Sequence, residues 1–156
     1  MADSARALVE MLKQRSLTIA TAESLTAGLM AATIATVPGA SAVLMGGVVA
    51  YDERIKQKLL SVRAETLQTN GVYSPECAME MAQGAKNALG VDIALSCTGI
   101  AGPDGGTPQN PVGTVFIGVS RPSGTIAQTF HFTGDRQSIR TQTVEAALKL
   151  ALDSID

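Results

Sequence analysis

The sequence has no tryptophan, only one histidine and only two cysteines. His131, Cys77 and Cys97 form neither a His/Cys cluster nor a CxxC pair, which argues against a structural zinc site. Buried free thiols are the favoured interpretation of the two cysteines, with a disulfide as the alternative. We therefore predict no metal and no cofactor.

Basic tracts and long apolar runs are missing as well. Twelve lysines and arginines stand against 14 acidic residues, a net charge of −2, so nothing indicates binding to nucleic acid or to an anionic membrane. No apolar run reaches the ~20 residues of a spanning helix. The N-terminal segment MADSARALVEMLKQR lacks the apolar block of a signal peptide. These absences predict a cytoplasmic protein.

The residues that are present favour one well-packed domain over 1–156. Apolar residues make up 46% of the chain, and few of them are aromatic, with three Phe and two Tyr. A core made mainly of Ala, Val, Ile and Leu suits helices packed closely on a sheet.

Hydrophobic periodicity and turn residues predict an alternation of strands and helices. The helices are predicted at 4–15, 25–37, 53–60, 63–70, 75–89 and 135–152. The strands are predicted at 17–22, 42–51, 91–98, 113–120 and 125–132. This order predicts an α/β sandwich with helices on both faces of the sheet. The short connection at 120–125 implies an antiparallel hairpin, so the sheet is expected to be mixed and mostly parallel.

Ser24 lies where a predicted strand runs directly into a predicted helix, within AESLTAG at 22–28. Serine is a favoured helix cap, and the segment alone favours that role. The unpaired N–H groups of a helix start would also stabilise an oxyanion or hold a phosphate. Cap and nucleophile both stay open at this point.

Two lysines follow the apolar run GGVVAY at 46–51. At 100° per residue, Lys56 falls on the apolar side of the predicted helix, whereas Lys58 points to solvent. Partial desolvation lowers the pKa of a lysine and makes it usable as a neutral base. The alternative to a base is that the Lys56 side chain snorkels at the edge of the core. Tyr51, at the end of the apolar run, has a similar structural alternative as a half-buried aromatic.

A loop rich in glycine and proline at 99–113 follows the predicted strand 91–98. It contains five glycines and three prolines, which let backbone N–H groups approach a ligand and hold the shape of the loop. It matches neither the Walker A nor the GxGxxG pattern. A long, rigid loop inside a small domain is usually functional.

Arg136 and Arg140 lie four residues apart, on one face of the last predicted helix. Two guanidinium groups near a helix start would suit a phosphate or a carboxylate. The alternative is a pair of solvated surface charges.

Together these segments resemble the C-terminal domain family of competence/damage-inducible CinA proteins. The matching motifs are AESLTAG (22–28), PGAS (38–41), GGVVAY (46–51), IKQKLLSV (55–62), TGIAGPDGGTP with PVGTV (98–115) and GDR (134–136). Stand-alone members of that family include nicotinamide mononucleotide deamidases. One departure is Ala27, where the family often has glycine, and it would place a methyl group where substrate or backbone passes.

The resemblance implies a three-layer α/β/α sandwich and an amidohydrolase that converts nicotinamide mononucleotide to nicotinic acid mononucleotide and ammonia. By the same resemblance, Ser24 would be the nucleophile and Lys56 the general base, and Tyr51 would orient or share the proton transfer. No metal or cofactor is needed for this chemistry.

The resemblance also implies the substrate-binding residues and the partners. The implied pocket residues are Thr26, Gly28, Gly47, Thr98, Gly99, Ala101, Gly102, Gly105, Gly106, and Arg136 or Arg140 for the charged end of the substrate. The expected partners are a small molecule and a second copy of the chain, in a homodimer or larger homo-oligomer. The alternative function is a catalytically silent nucleotide-binding or regulatory paralogue, which would be expected to lose Ser24 or Lys56.

Overall fold

Helices and strands alternate along the chain, and the computed structural model describes residues 1–155 of it. The helices are α1 (Ala2–Arg15), α2 (Leu29–Ala35), α3 (Glu53–Leu60), α4 (Ala64–Thr69), α5 (Pro75–Leu89) and α6 (Arg136–Ser154). The strands are β1 (Ile19–Glu23), β2 (Leu44–Val49), β3 (Ile93–Gly99), β4 (Thr114–Arg121) and β5 (Gly124–His131). A short 3₁₀ helix, Ala40–Ala42, precedes β2.

Local sequence signals set the ends of the helices that frame the site. Ser74 caps α5 by accepting the N–H of Cys77 at 3.1 Å, and Gly90 ends that helix with a φ of 62°. Asp52 caps α3 in the same way, accepting the N–H of Arg54 at 2.8 Å. Both helices therefore begin where the sequence predicts, because a capping side chain and not only packing defines the start.

The five strands form one mixed sheet in the order β2-β1-β3-β4-β5. β1 pairs in parallel with both β2 and β3, whereas β4 is antiparallel to β3 and to β5. Only β4 thus runs against the other strands, because the chain reverses once in the loop between β3 and β4 and again in the tight turn between Arg121 and Gly124. The predicted mixed and mostly parallel sheet is confirmed.

Helices cover both faces of this sheet, so the predicted three-layer sandwich is also confirmed. The helices α1, α2 and α6 pack on one face, on side chains such as Ile19, Leu95 and Ile117. The helices α3 and α5 pack on the other face, on Ala20, Ala22 and Ala94. Successive side chains of a strand point to opposite faces, so the alternation of large and small residues in β1 divides the two cores.

The parallel strands bring three chain segments to one edge of the sheet. The last residue of β1, Glu23, pairs with Val49 of β2 on one side and with Cys97 of β3 on the other. The residues that follow these strands therefore meet, as expected where loops leave the carboxyl ends of parallel strands. None of the described helices is long and apolar enough to cross a membrane.

Candidate active site

Ser24 lies directly after β1, between the ends of β2 and β3. Its N–H donates to the carbonyl oxygen of Cys97 at 3.1 Å, and Ala50 donates to the carbonyl oxygen of Glu23 at 2.8 Å. These bonds extend the ladder past the strand ends and hold the backbone of Ser24 in place. The serine is only 6% exposed and lines a pocket that opens at this edge.

The role of helix cap belongs to Glu23 and not to Ser24. Helix α2 begins at Leu29 rather than at residue 25, and the buried carboxylate of Glu23 accepts the N–H groups of Met30 at 2.7 Å and Ala31 at 3.0 Å. The cap interpretation of Ser24 is therefore wrong. The first N–H groups of α2 are occupied by this carboxylate, so they are not the donors that would serve an oxyanion.

Glu23 also draws the side chain of Thr26 into the core. The Thr26 hydroxyl donates to Glu23 Oε1 at 2.7 Å and lies 3.0 Å from the sulfur of Cys97. A further hydroxyl, that of Thr21, donates to Glu23 Oε2 at 3.1 Å. Thr26, predicted as a substrate contact, is fully buried beside this carboxylate and does not line the pocket.

Lys56 reaches Ser24 from beneath the pocket. Its Nζ donates to Ser24 Oγ at 2.9 Å and to the carbonyl oxygens of Ala50 at 2.7 Å and Tyr51 at 3.3 Å. The side chain is 1% exposed, whereas Lys58 on the same helix is exposed. The helical phase inferred from the spacing is thus right for both lysines.

Burial lowers the pKa of Lys56, and the negative charges of Glu53 and Asp52 oppose that effect. Among the described residues, the hydrogen-bond partners of its Nζ are a hydroxyl and two carbonyls, and no carboxylate is bonded to it. In the neutral form, two N–H groups satisfy the carbonyls and the lone pair is left for the Ser24 hydroxyl. The geometry thus suits a base that takes a proton from Ser24.

The two cysteines lie near this site as buried free thiols, in line with the favoured interpretation of the sequence. Burial raises the pKa of the Cys77 thiol and of the Cys97 thiol to about 11. Both thiols are therefore protonated at neutral pH and unsuited to act as nucleophiles.

Arg136 and Tyr51 form one rim of the pocket. Arg136 donates through Nη2 to the Tyr51 hydroxyl at 2.7 Å and through Nη1 to the carbonyl oxygen of Gly102 at 2.7 Å. The Tyr51 side chain is 56% exposed, and among the described residues it is the Tyr51 carbonyl, not the hydroxyl, that bonds Lys56. The hydroxyl is thus tied to the arginine rather than to the lysine.

The pocket above Ser24 has a volume of about 130 Å³. Six other residues predicted from the sequence line it, namely Tyr51, Gly99, Ala101, Gly102, Gly105 and Arg136. Four lining residues were missed: Leu25, Tyr73, Ile100 and Asp104. Three of these lie inside motifs already singled out, but nothing in the local sequence points to Tyr73.

Tyr73 reaches the pocket because Thr98 holds its segment. The Thr98 hydroxyl donates to the carbonyl oxygen of Val72 at 2.9 Å, and Thr98 itself is fully buried. The structure thus places Thr98, expected in the pocket, behind its wall, where it anchors the residues before α5.

Three glycines predicted to bind substrate lie outside the pocket lining. A Cβ atom at Gly47 would overlap the Thr21 hydroxyl, and one at Gly106 would meet the backbone of Val112 at 2.9 Å. Gly28 has a φ of 99° and precedes α2. In each case the close approach or the positive φ accounts for the glycine.

Ala27 and Arg140 complete the turn after Ser24. Ala27 is exposed with a φ of 49°, outside the pocket lining, so its methyl group does not obstruct the cavity. Arg140 donates to the carbonyl oxygens of Leu25 and Thr26, both at 2.9 Å. Its guanidinium therefore holds backbone, and Arg136 is the arginine of the two that faces the pocket.

A larger groove, of about 550 Å³, lies elsewhere, between β5 and α6. Apolar side chains such as Phe130, Phe132 and Leu150 line it together with polar ones such as Gln128 and Lys149, and none of the motif residues lines it. Residues 1–155 contain no group of three or more His, Cys, Asp or Glu that could hold a metal ion.

The family model for the CinA C-terminal domain matches residues 1–155. The chain belongs to this family. The resemblance that the motifs indicate is thereby confirmed, and it extends over all the elements that build the pocket.

CinA relatives from several bacteria match most of the chain. A CinA-like protein of Thermotoga sp. strain RQ2 is 48% identical over 142 residues, 91% of this chain and 35% of that protein. A putative competence-damage inducible protein of Desulforamulus reducens is 46% identical over 142 residues, 91% of this chain and 34% of that protein. The chain spans about a third of the length of these relatives.

Solved CinA structures share the fold. The competence/damage inducible protein CihA of Agrobacterium tumefaciens has a TM-score of 0.95 at 34% identity and covers 97% of this chain and 93% of its own. A competence-damaged protein (CinA) superfamily protein of Escherichia coli has a TM-score of 0.92 at 30% identity, covering 96% of this chain and 88% of its own.

Proposed function

We propose that this CinA C-terminal domain hydrolyses the carboxamide of nicotinamide mononucleotide in pyridine nucleotide salvage, giving nicotinic acid mononucleotide and ammonia. The observation that carries the proposal is the 2.9 Å hydrogen bond from the buried Nζ of Lys56 to Ser24 Oγ at the pocket. A buried lysine held by two backbone carbonyls is the arrangement expected of a base that activates a serine. The choice of substrate follows from the family resemblance.

In the first half-reaction, Ser24 Oγ bonds to the carboxamide carbon and its proton passes to Lys56 Nζ. The electron pair of the C=O bond moves onto oxygen. When that pair returns, the C–N bond breaks, and Lys56 gives its proton to the leaving nitrogen, which departs as ammonia. The product of this half-reaction is an acyl ester on Ser24.

In the second half-reaction, water bonds to the ester carbon and gives a proton to Lys56. The C–Oγ bond then breaks, Ser24 recovers the proton, and the carboxylic acid leaves. Lys56 is thus neutral at the start of each half-reaction and protonated in the middle of it.

The pocket accommodates the reacting end of this substrate. Its volume of about 130 Å³ lies below the roughly 300 Å³ at which typical ligand pockets begin, so it suits the nicotinamide ring alone. The ribose phosphate would extend over the rim. There Arg136, which forms no ion pair with a described acidic side chain, supplies positive charge for the phosphate.

Ammonia release from nicotinamide mononucleotide tests the proposal. We expect the wild type to release ammonia and Ser24→Ala and Lys56→Ala to lose about 10⁴-fold or more in kcat. Lys58→Ala is the matched control, because Lys58 is an exposed lysine on the same helix, and it should retain wild-type activity.

The outcomes separate the candidate functions. Equal activity in the wild type and Ser24→Ala would contradict the serine mechanism. An inactive wild type that binds nicotinamide mononucleotide in calorimetry would instead favour the silent binding module.

A further inference from the structure

Both tyrosines of the chain line the pocket above Ser24. Tyr51 is 56% exposed and Tyr73 is 38% exposed, so both rings are accessible to a ligand. None of the three phenylalanines lines this pocket. The face of an aromatic ring is negative and attracts a cation, and quaternary nitrogens are commonly recognised in this way. Two exposed tyrosines on one small pocket therefore suit a flat ring that carries a positive charge.

Asp104 adds a negative charge to the same pocket. It is exposed, and within residues 1–155 its carboxylate forms no hydrogen bond and no ion pair. The other charged residue of the lining is Arg136, which is bonded to the Tyr51 hydroxyl and to the carbonyl oxygen of Gly102. Because these two charges are not paired with each other, the pocket offers a ligand one charge of each sign.

The loop around Asp104 is held on both sides. Two residues before it, Gly102 lies so close to Val112 that a Cβ atom would overlap the Val112 side chain. The carbonyl oxygen of Gly102 is also held by Arg136 at 2.7 Å. Two residues after Asp104, a Cβ atom at Gly106 would meet the backbone of Val112 at 2.9 Å. A carboxylate on such a tethered stretch is already in place when a ligand arrives, which lowers the cost of ordering it.

Nicotinamide mononucleotide carries charges that match those of the pocket. Its ring nitrogen is quaternary and positive because it is bonded to ribose, whereas its phosphate is negative. A pocket of about 130 Å³ holds the ring alone, so Asp104, which lines it, lies with the ring, and the phosphate extends beyond the rim. Free nicotinamide has a neutral ring at pH 7 and no phosphate, so it lacks both charges.

We propose that Asp104 and Tyr73 select the positive charge of the pyridinium ring, so that the site takes N-ribosylated, cationic pyridine carboxamides and discriminates against neutral ones. The inference rests on the proposed function and names the substrate class for it. Tyr51 adds its ring to the same lining, while its hydroxyl stays bonded to Arg136.

The test compares nicotinamide mononucleotide with the monophosphate of benzamide riboside. This analogue has the same shape but a neutral ring, because a carbon atom replaces the ring nitrogen. KM is measured for the first ligand and the inhibition constant for the second. We expect Asp104→Asn to raise KM about tenfold, with kcat within about threefold, and to leave the inhibition constant within about twofold. The substitution removes the charge at nearly constant size, so the loss should be confined to the cationic ligand.

Two substitutions at Tyr73 separate the aromatic face from apolar packing. Tyr73→Phe keeps the ring and should keep the wild-type ratio of the two constants. Tyr73→Leu keeps an apolar side chain without the ring, and it should weaken binding of nicotinamide mononucleotide about fivefold more than binding of the neutral analogue.

Asp153 offers a matched control for the change of charge. It is exposed in the last turn of α6 and lies outside the pocket above Ser24. Asp153→Asn removes one negative charge, as Asp104→Asn does, and should leave both constants unchanged. Circular dichroism follows the folding of every variant.

Each other outcome overturns the inference. An equal loss for both ligands in Asp104→Asn would assign its carboxylate to the ribose hydroxyls that the two ligands share. An unchanged ratio in Tyr73→Leu would contradict the role of its ring. An inactive wild type would overturn the proposed function and this inference with it, whereas an active wild type whose ratio is unchanged in Asp104→Asn would overturn only the inference.

Discussion

Lys56 combines a buried position with partners that carry no formal charge. Its Nζ is bonded to Ser24 Oγ and to the carbonyl oxygens of Ala50 and Tyr51. A lysine bonded to a carboxylate would be held in its charged form, whereas here desolvation dominates and lowers the pKa. The same residue is therefore poor as a stabilising charge and well suited as a base.

This lowered pKa predicts the pH dependence of the proposed reaction. Because Lys56 must be neutral in the free enzyme, kcat/KM should rise about tenfold per pH unit at low pH and level off above the pKa of Lys56, below 10.5. Glu53→Gln removes a negative charge that raises this pKa, so the profile should shift to lower pH.

Glu65→Gln is the control for this shift. Glu65 is exposed on α4 and is not among the groups that move the pKa of Lys56, so its removal should leave the profile in place. A shift of equal size in both variants would show that the effect comes from net charge and not from the surroundings of Lys56.

At the scale of elements, the contact between α3 and α5 fixes the position of Lys56 below the pocket. Gly84 of α5 faces the end of α3, where a Cβ atom would overlap the carbonyl oxygen of Leu60. The absence of a side chain at Gly84 thus lets the helix that carries Lys56 lie against α5.

Gly84→Ala is expected to push α3 away from α5 and to weaken both stability and activity. Overpacking of this kind costs about 1–3 kcal/mol in the free energy of unfolding, measured by chemical denaturation. Because the Lys56–Ser24 contact moves with α3, we also expect about a 100-fold loss in kcat.

Ala88→Gly is the matched control on the same helix. Ala88 is exposed, and glycine there costs about 1 kcal/mol through helix propensity without touching α3. Full activity in Ala88→Gly and in Gly84→Ala alike would contradict the proposed link between this contact and catalysis.

For the whole molecule, burial of Lys56 lowers stability at neutral pH. The unfolded chain binds a proton at Lys56 up to about pH 10.5, whereas the folded protein releases it at lower pH. Between the two pKa values the unfolded state binds more protons, so the free energy of unfolding rises with pH through this window. Below the folded pKa the full cost of burying the charge is present.

Lys56→Met should therefore stabilise the protein while abolishing the proposed activity. The gain in free energy of unfolding, measured with urea, should be larger at pH 7 than at pH 10, because the cost that it removes fades as pH approaches 10.5. A loss of stability at pH 7, or a gain independent of pH, would contradict the lowered pKa assigned to Lys56.

The homo-oligomeric state of the protein stays a prediction.

Much of the site follows from local signals in the sequence. The helical spacing predicts that Lys56 faces inward and Lys58 outward, and the structure agrees. The glycines and prolines of the long loop after β3 indicate that this loop is functional. In these cases short-range sequence patterns dictate the geometry.

Other features depend on contacts between distant residues. Glu23 lies seven residues before Met30, so no standard capping spacing indicates that it, rather than Ser24, caps α2. Arg140 lies more than 100 positions from the carbonyls that it holds, and Thr98 anchors a segment 26 residues away. A sequence pattern contains no information on such pairings until the sheet order is known.

The sequence by itself determined the layers of the fold, the family motifs and the inward face of Lys56, because periodicity and capping act within a few residues. Only the tertiary structure decided that Lys56 reaches Ser24, that Arg136 faces the pocket and that Arg140 holds the turn. Those contacts arise where parallel strands end side by side, and the hydrogen bonds and burial that select them join segments far apart in the chain.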